Sequence, residues 1–103
     1  MSHNFDLIIK NGTLVDGTGS ARRIADIGVL GDKIVYIGNI TNHSDSEVID
    51  AAGCIVAPGF IDIHSHSDFF CLVSPESESK IYDGVTTEIC GNCGISACPL
   101  KRQ

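Results

Sequence analysis

A chain of 103 residues with 43% apolar side chains can bury a core, yet it falls far short of the roughly 250 residues of a closed (β/α)8 barrel. Its net charge is −6 and its seven Lys and Arg are scattered, which excludes the clustered basic face needed for nucleic acid or an anionic membrane. Met1 to Asp6 form no leader pattern and no apolar run reaches the ~18–20 residues of a membrane span, so a cytoplasmic location is expected. Five cysteines, at 54, 71, 90, 93 and 98, favour free thiols or metal ligands over a disulfide framework.

Residues 1–57 read as short strands separated by glycine turns. Phe5 to Lys10 and Thr13 to Val15 flank Asn11-Gly12, the strongest two-residue hairpin signal. Asp16 to Ser20 form a loop. Ala25 to Leu30 and Lys33 to Ile37 then flank a second tight hairpin at Gly31-Asp32. Glu47 to Asp50 and Cys54 to Ala57 give two more strands around Ala51-Ala52-Gly53. Several short strands with regular turns predict part of a small β-sandwich.

At Pro58-Gly59 the texture changes. Phe60, Ile61 and Ile63 make a nearly continuous apolar strand that ends in His64-Ser65-His66, as expected of a strand covered on both faces. With a side-chain period of 2, His64 and His66 leave one face with Cα atoms about 6.6–6.8 Å apart, where both imidazoles can converge on one metal ion. A solvated or core pair of histidines is the bland alternative. Ser67 to Phe70 read as a loop. Ser74-Pro75-Glu76 is a helix-start pattern, and that helix should run to about Asp83 and close at Gly84 in the left-handed region. Val85 to Cys90 is the next strand. Residues 58–103 are thus expected to open an α/β barrel with one βαβ unit and a right-handed crossover.

Four segments carry a family resemblance: Asp6 to Gly19, Ala57 to Asp68, Asp83 to Thr87, and Gly91-Asn92-Cys93-Gly94-Ile95-Ser96. Together they resemble the N-terminal part of the amidohydrolase superfamily, and the last resembles the cysteine loop of the N-acyl-D-amino-acid deacylases, the D-aminoacylases. The resemblance implies a mixed α/β fold, with a β-sandwich beside a truncated (β/α)8 barrel. It implies a Zn2+ cofactor held by His64, His66 and Cys93, the cysteine replacing a bridging carboxylated lysine of relatives. It also implies hydrolysis of a small-molecule N-acyl-D-amino acid to a carboxylate and a D-amino acid. The general-base aspartate and two further histidines would lie on later strands, so these 103 residues alone are expected to be inactive and poorly stable. A cyclic-amide hydrolase such as a hydantoinase or dihydroorotase, and a non-catalytic truncated metal-binding product, are the alternatives.

Other residues admit plainer readings. Cys90-x-x-Cys93 could be a redox pair, but no helix N-terminus marks it. A structural four-cysteine zinc site would need Cys98 and one more cysteine, such as Cys71, at irregular spacing. Cys54, Cys71, Cys90 and Cys98 are most simply small apolar residues. Asp68 could support the metal loop by hydrogen bonds or could be an ordinary loop carboxylate. Asp62 points with the histidines as an inner hydrogen-bonding residue, and His3 and His43 fit exposed positions.

Overall fold

The computed structural model describes residues 4–42 and 45–97. The chain divides into two compact units between Pro58 and Gly59.

The first unit is one sheet of five strands: β1 (Leu7–Leu14), β2 (Arg23–Leu30), β3 (Lys33–Gly38), β4 (Glu47–Asp50) and β5 (Ile55–Val56). The order is β3-β2-β1-β4, with β5 also paired to β1. The β2–β3 hairpin turns at Gly31-Asp32 as expected, with Leu30 opposite Lys33 and Gly31 at φ 60°. β4 and β5 both run parallel to β1, end to end along its length. Among the described residues this unit forms a single sheet layer.

Asn11-Gly12 does not turn the chain. β1 passes straight through it, and the register against β2 shifts between Ile9 and Gly12. Asn11 takes φ 63°, so the tolerance for positive φ that makes Asn-Gly a hairpin signal serves a β-bulge instead. Gly12 is needed there because a Cβ would come within 2.5 Å of Val56 Cγ2 on β5. The bulge is also held by side chains. The Asn11 N–H donates to Asp26 Oδ1 at 3.0 Å, and its amide donates to Asp50 Oδ1 at 2.9 Å.

The extra residue sets the packing. Ile9 lies opposite Ile27 and Gly12 opposite Ala25, so Ile9 and Leu14 share a face although they are an odd number of positions apart. There Leu14, Ala25 and Ile27 are buried, with Ile9, Val29 and Val56 against them. Phe5, Ile8 and Ile40 form a second cluster, packed by Tyr36. The buried Asp26 also accepts the Ile40 N–H at 2.9 Å. In the loop after β1, Asp16 accepts hydrogen bonds from Thr18 and Arg23, which hold its carboxyl down to about 2.

The second unit contains β6 (Phe60–Asp62), a short helix α1 (Glu78–Tyr82) and β7 (Val85–Glu88). β6 and β7 pair in parallel. The strand stops two residues before His64, where the sequence pattern had carried it through. Asp62 Oδ1 accepts the His64 N–H at 3.1 Å, a local side-chain bond that competes with the ladder and bends the chain. The sheet resumes for one bond, Ser65 N–H to Ile89 O at 3.1 Å.

The helix is also shorter than expected. Ser74-Pro75-Glu76 does not start it. The Ser77 N–H bonds back to Ser74 O, closing a turn, and the helix begins after Ser77 at φ 47°. Its end is the expected one, with Gly84 at φ 80° donating to Ile81 O at 2.9 Å. A 3-10 turn (Ser67–Phe69) replaces the loop after the histidines. Many large apolar side chains stay exposed in this unit, among them Ile63, Phe70, Leu72, Ile81 and Tyr82. Among the described residues, no helix is long and apolar enough to cross a membrane.

Candidate metal centre

His64 and His66 lie in the bend beyond β6 rather than on its pleat. The bend still brings the rings together, with centroids 5.6 Å apart and planes at 68°. Cys93 reaches them from the loop after β7, its Sγ 3.2 Å from His64 Nε2. Ligand atoms of His64, His66 and Cys93 all lie within 4.8 Å of one another, a group of three among the described residues.

The donor set fits a zinc-like ion. Zn–S near 2.3 Å and Zn–N near 2.0–2.1 Å place tetrahedral ligand atoms about 3.3–3.6 Å apart. The Sγ–Nε2 spacing is close to that range. His66 Nδ1 is buried with no hydrogen-bond partner, and buried polar atoms of native proteins are seldom left so.

The local backbone explains how the thiol gets there. Cys93 sits at φ 61° and ψ 12°, in the left-handed region, between Gly91 at φ 87° and Gly94 at φ 68°. A side chain other than Gly, Asn or Asp in that region is strained by about 1–3 kcal/mol, a condition that gathers at functional sites. Asn92 braces the turn. Its amide donates to Ile63 O at 2.9 Å and to Ile89 O at 3.1 Å, which ties the cysteine loop to the residue just before His64.

Asp68 makes a second tie. Its Oδ2 accepts the Ser96 hydroxyl at 2.7 Å and the Ala97 N–H at 2.8 Å. These two bonds, the Ala97 one foremost, hold its carboxyl below the usual carboxylate range. Asp68 Oδ1 is buried and without a partner.

Asp62 does not join the three donors. It accepts Lys80 Nζ at 2.7 Å, and that lysine lies 3.3 Å from Glu88 Oε1. Lys80, Glu88 and Asn92 carried no local signal for their bonds to Asp62, Ser65 and Ile63, which lie 18, 23 and 29 residues away. Cys54 and Cys71 are exposed free thiols, and Cys90 is half-buried. None of them belongs to the group around His64. His3, His43 and Cys98 lie outside the described residues.

The amidohydrolase family profile matches residues 47–100. The D-aminoacylase of Alcaligenes xylosoxydans xylosoxydans is 46% identical over 99 residues, covering 96% of this chain and 20% of that protein. A solved D-aminoacylase with a binuclear metal centre superposes with a TM-score of 0.85 at 46% identity, over 95% of this chain and 21% of its own. The N-acyl-D-glutamate deacylase of Bordetella bronchiseptica, solved with zinc and a phosphonate inhibitor mimicking the tetrahedral intermediate, gives a TM-score of 0.85 at 44% identity. That match covers 94% of this chain and 20% of its own. The chain therefore belongs to the amidohydrolase family, and its relatives include D-aminoacylases and other N-acyl-D-amino-acid deacylases. It spans about a fifth of the length of those curated relatives.

Proposed function

We propose that these residues form the first part of a zinc-dependent N-acyl-D-amino-acid deacylase, in which His64, His66 and Cys93 hold the metal. The observation that carries this reading is the convergence of one thiol, held on a strained turn, with two imidazoles. A thiolate among imidazoles suits zinc, which accepts both sulfur and nitrogen donors. Relatives solved with a binuclear metal centre and with zinc support a metal at such a site. Residues 1–57 then contribute to a β-sandwich, and residues 58–103 begin the barrel with β6, α1 and β7; the parallel pairing of the two strands supports that reading.

Zinc, when bound, would lower the pKa of water to about 7 and would polarise the scissile carbonyl. This chain's own part is placement. The bend after Asp62 aims both rings at one point, Asn92 fixes the thiol turn beside them, and Asp68 links the two loops. The carboxylate that passes the proton to the leaving amine belongs to a later segment of such an enzyme.

The reading is tested with a polypeptide of the relatives' full length that carries this segment. It should release free D-amino acid from N-acetyl-D-amino acids, with no comparable opening of hydantoins, whereas the 103-residue chain alone should turn over neither. Preference for a cyclic amide, or metal-dependent turnover by the short chain alone, would contradict it.

A further inference from the structure

A carboxylate outside the three donors grips the loop that carries two of them. We propose that Glu88 is a positioning residue for His64 and His66, clamping their loop from β7 through the hydroxyls of Ser65 and Ser67. The inference rests on the metal reading given above.

Glu88 is the last residue of β7 and pairs in register with Asp62, the last residue of β6. Its Oε1 accepts the Ser65 hydroxyl at 2.8 Å and the Ser67 hydroxyl at 2.8 Å. The two hydroxyl oxygens are themselves 2.8 Å apart, and the Ser67 N–H donates to Ser65 Oγ at 3.1 Å. Two hydroxyl protons serve three oxygen–oxygen contacts, so at most two hydrogen bonds form at once. The arrangement that uses both protons outward needs an acceptor with no proton of its own, which a carboxylate supplies. Ser65, next to both histidines, is one of the few buried polar residues among those described.

The carboxylate is anchored from behind. Lys80 Nζ lies 3.3 Å from Glu88 Oε1 and 2.7 Å from Asp62 Oδ2, while Asp62 Oδ1 accepts the His64 N–H. One lysine thus draws together the two acids that hold the backbone at His64 and the side chains on either side of His66. Hydrogen bonds from both serines and the lysine charge keep the Glu88 carboxyl below its usual range, hence an acceptor. Charge-assisted bonds of this kind are roughly twice as strong as neutral ones.

Cobalt(II) is the probe, because thiolate-to-cobalt absorption reports directly on Cys93. In a polypeptide of the relatives' full length that carries this segment, the unaltered chain should show that absorption, and E88A should bind cobalt about 10–100-fold more weakly, as loss of supporting bonds around metal ligands does. E88Q keeps an acceptor oxygen and should recover most of the lost affinity. The double variant S65A/S67A leaves the Glu88–Lys80 pair intact and should reproduce the loss, which decides the matter if E88A does not fold. Unchanged affinity in S65A/S67A, or E88Q as weak as E88A, would overturn the inference while leaving the metal site standing. Absence of the thiolate band in the unaltered chain would remove the metal reading and this inference with it.

Discussion

In a polypeptide of the relatives' full length that carries this segment, serine in place of Cys93 is expected to abolish zinc binding and, with it, the N-acyl-D-amino-acid hydrolysis proposed above. The thiol becomes an anionic, soft donor on metal binding, whereas a serine hydroxyl stays neutral and hard. The loss in affinity should exceed the ~10–100-fold typical of removing a supporting hydrogen bond, since a ligand itself is gone. Serine has the same backbone difficulty at φ 61° as cysteine, so the turn strain is matched and the difference reads the sulfur alone. Metal content per polypeptide, measured after dialysis, checks it. Zinc retained at the unaltered stoichiometry would show that Cys93 is no ligand.

Alanine at Asp68 is expected to give the second large effect. Its carboxylate holds the Ser96 hydroxyl and the Ala97 N–H, and so fixes the segment that follows Cys93 against the turn that follows His66. Removing it takes away two of the bonds that tie the thiol loop down, leaving the Asn92 bonds to Ile63 and Ile89 in place. Metal affinity should fall about 10–100-fold, with D68N intermediate because its amide oxygen can still accept both bonds but without the carboxylate's charge. Isothermal titration with zinc into the metal-free full-length protein measures both. Equal affinities for D68A and the unaltered protein would make Asp68 an ordinary loop residue.

The parts of the fold legible in the sequence are those set by short-range chemistry. Gly31-Asp32 marks its hairpin because the turn is closed by adjacent residues, and Gly84 ends its helix for the same reason. Asn11-Gly12 carries the same backbone tolerance but is spent on a bulge, because Asp26 and Val56, both far along the chain, meet it there. The start of α1 was misplaced for a related reason: Ser74-Pro75 closes a turn of its own, and the helix waits until Glu78.

At the candidate site, His64 and His66 were legible from their spacing, although a bend and not a pleat aligns them. Cys93 was legible only through its family loop, since no local pattern says that a left-handed cysteine on one loop will meet two rings on another. The serines that Glu88 holds, the Asp62 that Lys80 meets from α1 and the Ile63 carbonyl that Asn92 bonds all lie far along the chain, so the roles of these three residues were not legible.

X-ray absorption of the zinc-loaded full-length protein tests the central claim most directly. One sulfur at about 2.3 Å together with nitrogen scatterers at about 2.0–2.1 Å, with no sulfur in whatever zinc signal C93S retains, is the result expected of His64, His66 and Cys93 on one ion. A first shell of nitrogen and oxygen alone, unchanged by that substitution, would contradict it.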